Sequence, residues 1–159
     1  IVYYTNKNSV NLFAEALGEL ISPTDYARTV KVELSHIGID SCGITLKDAS
    51  GLSPANAVPA EVFTDLLIWA KGHLSDAFVS SLPRGNVDWG LRVYSDHPVL
   101  RGNVIAKTGS MSGVRALAGY LKNQKGETLA FTILVNNYVG DPVKVQEIIR
   151  DLLKDIADK

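Results

Sequence analysis

The chain has 159 residues, enough for one compact domain with a buried core, and its 46% hydrophobic and 21% charged content is that of an ordinary globular protein. Sixteen lysines and arginines balance seventeen acidic residues, so there is no basic field to hold nucleic acid and no Lys/Arg cluster marking a membrane-surface helix. Cys42 is the only cysteine, and His36, His73 and His97 lie far apart without ligand spacing, so neither a disulfide, a metal site nor any other cofactor is expected.

Leu12, Phe13, Ala16, Leu17, Leu20 and Ile21 recur at helical spacing and predict a helix over 9–21, broken by Ser22-Pro23-Thr24. A second helix is expected over 25–37, with Thr24 as N-cap and Gly38 past its end. Ile44 and Leu46 alternate in an extended piece that leads into the turn Asp48-Ala49-Ser50-Gly51. Pro59 suits a first helical position, and Val62, Phe63, Leu66, Leu67 and Ala70 form an amphipathic stripe behind it. A short helix over 75–82 stops at Pro83, and 84–102 reads as loop. Three strands follow, over 104–108, 114–121 and 129–136, with Lys125-Gly126-Glu127 in the last hairpin connection. Asp141-Pro142 opens a final helix that lines up Val145, Ile148, Ile149, Leu152, Leu153 and Ile156. Helices, then an antiparallel meander, then a closing helix make an α+β arrangement.

Lys107-Thr108-Gly109-Ser110 stands at a strand end and is followed by the small residues Ser112 and Gly113. A cation, a hydroxyl and a glycine there suit an anion or a peptide backbone, although a turn with a solvated lysine has the same composition. Ser9-Val10-Asn11 reads as a helix start on its own. Together, an SxN element upstream of a KTG element forms two parts of the serine acyl-transferase signature, whose third part is SxxK. No serine of this chain has a lysine three positions later.

The stretches 8–15 (around SxN), Asp48 to Ser53, Ser81-Leu82-Pro83, Gly90-Leu91-Arg92, 106–114, 117–120, Ala130-Phe131 and Val135-Asn136-Asn137 resemble, in order, the low-molecular-mass penicillin-binding proteins of the D-Ala-D-Ala carboxypeptidase/endopeptidase type, peptidase family S13. Two positions depart from that pattern: Val10 where aspartate is common, and Ala49 in place of a usual glycine.

The resemblance implies a partial transpeptidase-like (serine β-lactamase-like) domain, with 1–159 as its C-terminal portion and the SxxK part upstream. The opening Ile-Val-Tyr-Tyr, without an initiator Met, agrees with an upstream segment having been removed. The resemblance also implies attack by the absent serine on the D-Ala-D-Ala end of a peptidoglycan stem peptide, with β-lactams as mimics and a periplasmic or extracytoplasmic setting. By the same resemblance, Ser9 relays a proton to the leaving amine, Lys107 holds that hydroxyl electrostatically, and Asn11 binds the substrate amide. Thr108 and Ser110 bind the terminal carboxylate, the Ser110 N–H gives half of the oxyanion hole, and Gly109 and Ser112 complete the binding strand. Asp48 and Ser50 read as turn residues, Trp69 and Trp89 as packing, and Arg115 as a solvated strand residue or a contact for an acidic group. A β-lactamase or esterase shares the three-motif logic, and a non-catalytic peptidoglycan- or protein-binding domain fits the missing nucleophile. The expected partners are the stem peptide, β-lactams, and either the missing segment or a second copy at an open strand edge.

Overall fold

A computed structural model describes residues 1–159. Five helices come first: α1 (Val2–Asn8), α2 (Asn11–Ile21), α3 (Tyr26–His36), α4 (Ala60–His73) and α5 (Asp76–Ser81). Two 3-10 turns, Trp89–Leu91 and Val93–Ser95, lead to β1 (Val104–Met111), β2 (Val114–Lys122), β3 (Thr128–Asn136) and α6 (Pro142–Ala157). The arrangement is the α+β one expected.

Several boundaries differ for local reasons. The helix expected to begin at Ser9 begins at Asn11, and a separate helix, α1, precedes it. Ser9 stands between them with left-handed backbone angles, φ 53° and ψ 49°, which ends α1 and turns the chain. Asp25, not Thr24, caps α3, its carboxylate accepting from the Arg28 N–H. The extended piece near Ile44 is reduced to one pair of backbone bonds between Thr45 and Ala57. In the 84–102 loop, Arg84 lies against Ile105 as a short extension of the sheet.

The sheet has the order β1-β2-β3, all antiparallel. Strand alternation sorts it into two faces. Val104, Ala106, Leu117, Leu121 and Phe131 pack with Ile149, Leu153 and Ala157 of α6 and with Leu91, Tyr94 and Leu100 of the preceding loop. On the other face Tyr120, Ile105, Ala118 and Ala130 meet Leu67 of α4 and Leu82, and the Tyr120 hydroxyl donates to the Leu67 carbonyl at 2.7 Å. A third cluster, Leu34, Ile39, Ile44 and Val62, joins α3 to α4. Within α6 the expected apolar face is wider than the buried one, since Ile148 and Leu152 remain 67% and 45% exposed.

Gly119 sets the spacing of β1 and β2. A Cβ at this position would lie 2.1 Å from the Ile105 carbonyl oxygen and 2.5 Å from Ala106 Cα.

Candidate active site

Lys107 lies on the α4 side of β1, the side on which α1 ends. Its ammonium donates to the Ser9 hydroxyl at 2.9 Å and to the Thr108 carbonyl at 2.6 Å. Two elements 98 positions apart in sequence are thus joined by one hydrogen bond. No carboxylate lies within ion-pair distance of this ammonium, and burial pulls its pKa below the usual 10.5. Ser9 accepts this hydrogen bond, so its own proton is free to point elsewhere.

The last turn of α1 is fastened to the segment before β1. Asn6 donates to the Ser81 hydroxyl at 2.8 Å, and the Lys7 ammonium donates to the Leu82 carbonyl at 2.6 Å and to Asp88 at 2.9 Å. Asp88 also accepts from the Arg84 N–H. Burial pushes the Asp88 carboxyl up, but the Arg84 N–H and the Lys7 ammonium outweigh it, and the net pKa is lowered. The same segment pairs with β1, the Ala106 N–H donating to the Pro83 carbonyl at 2.9 Å and the Gly85 N–H to the Val104 carbonyl at 2.8 Å. A continuous set of bonds therefore runs from α1 through 81–88 to β1 and fixes Ser9 against Lys107. Nothing in the sequence signals Lys7 or Asp88, because the contacts span 75 and 81 positions.

Past Ala106 the outer edge of β1 is open. In an antiparallel strand both backbone groups of a residue point to one side, alternating along the chain. Ala106 points outward, so Thr108 and Ser110 point outward too and offer their N–H groups to a chain laid along the edge. The Thr108 and Ser110 side chains lie on the α6 face, opposite Lys107. Gly90 approaches the Thr108 hydroxyl, which a Cβ at that glycine would meet at 3.6 Å. Gly109 also has a packing reason, since a Cβ there would press on Ala116 of β2 at 3.2 Å. Asn11 is exposed at the start of α2 and Ser112 is exposed in the β1–β2 turn.

The turn at Asp48 holds α2 from the far side. Glu15 accepts from the Ser50 N–H at 2.8 Å and the Ala49 N–H at 3.4 Å, while Asp48 accepts from Gly51, Ser53 and the Asn56 amide. Hydrogen bonding from the Ser50 side chain is the main cause that lowers the Glu15 pKa. Ala49, the departure from the usual glycine, fits because it faces Gly18, where a Cβ would be 2.6 Å from the Ala49 methyl.

Residues 1–158 match the family described as D-Ala-D-Ala carboxypeptidase 3 (S13). A D-alanyl-D-alanine carboxypeptidase of Actinomadura sp. is 34% identical over 165 residues, which cover 97% of this chain and 30% of that protein. The crystal structure of penicillin binding protein 4 (dacB) from Haemophilus influenzae, complexed with a novel β-lactam, superposes with a TM-score of 0.90 at 29% identity, covering 99% of this chain and 41% of the other. An extended spectrum β-lactamase, TLA-1, shares the fold with a TM-score of 0.76 at 17% identity, over 98% of this chain and 61% of that one. The chain thus spans about a third of the length of the curated relative it matches.

Proposed function

Because this chain belongs to the D-Ala-D-Ala carboxypeptidase 3 (S13) family, we propose that it is the C-terminal part of a transpeptidase-like domain in a serine-type D-Ala-D-Ala carboxypeptidase or endopeptidase. Its substrate is the D-Ala-D-Ala end of a peptidoglycan stem peptide, β-lactams acylate the same serine, and the enzyme works outside the cytoplasmic membrane. No serine here has the SxxK spacing, so the nucleophile is supplied by a segment outside these residues.

The observation that carries this reading is the Lys107–Ser9 hydrogen bond at the open end of β1. The substrate backbone lies along the β1 edge, its scissile carbonyl oxygen receiving the Ser110 N–H as one half of an oxyanion hole. When the tetrahedral intermediate collapses, the carbonyl–nitrogen bond breaks and the Ser9 hydroxyl gives its proton to the departing amine. Lys107, donating to the same oxygen, stabilises the charge that builds on it, and the proton released by the attacking serine restores the Ser9 hydroxyl. Asn11 binds the substrate amide, and Thr108 and Ser110 bind its terminal carboxylate.

Labelling with a fluorescent penicillin tests the reading in the enzyme that joins this chain to an SxxK serine. Lys107→Met is expected to slow acylation about 100-fold or more. A variant acylated at the parent rate overturns the assignment. The chain by itself takes no label, and a covalent adduct on it would show a nucleophile among its own residues.

A further inference from the structure

Arg115 faces Ser110 across the β1–β2 ladder, the two being register partners. Its Nη1 donates to the Ser110 hydroxyl at 2.5 Å and to the Val114 carbonyl at 3.0 Å, with a longer contact to the Met111 carbonyl at 3.4 Å. The guanidinium lies 5.7 Å from the centre of the Tyr138 ring. The side chain is partly buried, yet no carboxylate is within 4 Å of it. Its Nε is buried with no hydrogen-bond partner, and Nη2 donates to no protein group. A charge taken out of water is ordinarily paired, and a buried N–H ordinarily has an acceptor. This partly buried guanidinium has no carboxylate partner, and its Nε has no acceptor.

We propose that Arg115 is a ligand-binding residue that, with Ser110, holds the carboxylate of an anionic peptide or β-lactam at the end of β1. The inference rests on the reading above, which supplies the ligand class and the Ser110 contact, and adds the cation. A hydroxyl has one proton; with Arg115 occupying a lone pair, the Ser110 proton turns away from the guanidinium and into the ligand's path. Arg115 thereby makes Ser110 a donor and brings the anion a fixed charge that does not titrate, which Lys107, on the opposite face of the strand, does not replace. The site selects ligands that carry a free carboxylate over neutral ones.

The test compares acylation by benzylpenicillin with acylation by its methyl ester in the enzyme that joins this chain to an SxxK serine. Arg115→Gln is expected to lower the acid-to-ester ratio of second-order rates about 10- to 100-fold, the range of a hydrogen bond to a charged group. Arg115→Lys, which keeps the charge and loses the fork, falls in between. An unchanged ratio, or an equal slowing of acid and ester, overturns the proposal and leaves the reading above standing. Lys107→Met slows both ligands when that reading holds. If penicillin acylates no form of the enzyme, that reading falls, and the dissociation constants of acid and ester still decide Arg115: the same ratio in Arg115→Gln as in the parent ends the proposal.

Discussion

Lys107 is a partly buried cation, and the consequence is a pH dependence of definite sign. Its folded-state pKa lies below the 10.5 of the unfolded chain because burial disfavours the ammonium. Between those two values the unfolded state binds more protons, so stability rises with pH through that window and is lowest below it. Tyr26, Tyr94 and Tyr120 act in the opposite direction above their ordinary 10.0, since burial raises their pKa values. The rise attributable to Lys107 is therefore read as a difference between the parent and Lys107→Met, in which the tyrosine contributions cancel. Urea unfolding at several pH values up to 10.5 is expected to show a steeper rise in the parent than in Lys107→Met. The same substitution removes a partly buried charge, so it is expected to stabilise the chain at neutral pH. Loss of stability in Lys107→Met at neutral pH would mean that its hydrogen bond to Ser9 outweighs the burial cost.

At the scale of elements, the fastening of α1 to the 81–88 segment decides where Ser9 stands. The Lys7–Asp88 pair has side chains only 15% and 25% exposed, so it is more than a surface ion pair. Asp88→Asn keeps an oxygen that can accept from Lys7 but removes the charge that pairs with its ammonium, and is expected to cost about 1–3 kcal/mol in denaturant unfolding. The lowered pKa of Asp88 gives a second readout. Its stabilisation is fully present above the ordinary 3.8 and is lost as pH falls through the folded value, so Asp88→Asn flattens the acid limb of the stability curve. The β1–β2 contact is tested at Gly119, where any side chain meets backbone. Gly119→Ala is expected to destabilise by about 1–3 kcal/mol, because the Ile105 carbonyl cannot move aside without opening the ladder. An unchanged denaturation midpoint would show that the strands separate freely there.

Over the whole molecule, the three-stranded sheet ends at β3, whose outer side has no partner strand. Beside it, α6 leaves Ile148 and Leu152 in solvent. An open edge next to apolar side chains recruits another strand. The expected outcome for the isolated chain is association along β3, either with a second copy or with a separately supplied strand. Sedimentation across a range of concentrations checks this. Alternate amides of Leu129–Asn136 should exchange quickly on dilution and slowly in the associated form. A monomer at every concentration with those amides protected would mean that the edge is covered by the chain itself.

Element type and order were legible because they depend on local periodicity. The apolar repeat at Leu12 to Ile21, the alternation through β2 and β3, and Asp141-Pro142 at the start of α6 each constrain only a few turns of backbone. Ser9, Asn11 and Lys107 were legible as motif letters, since side-chain types at short spacing suffice for a resemblance. The sequence had no way to indicate that Ser9 would take a left-handed conformation, for α1 shows no strong apolar stripe and only its ties to Ser81, Leu82 and Asp88 hold it in place. Nor could it rank the apolar residues of α6, because Ile148 and Ile149 are identical letters, and burial depends on which of them meets the sheet. Arg115 illustrates the same division. Its charge is written in the sequence, but whether that charge is solvated or held beside Ser110 depends on β1–β2 pairing, which sets Arg115 opposite Ser110. Local periodicity belongs to the chain; the meeting of groups distant along it is decided by packing and register, and only the folded molecule fixes those.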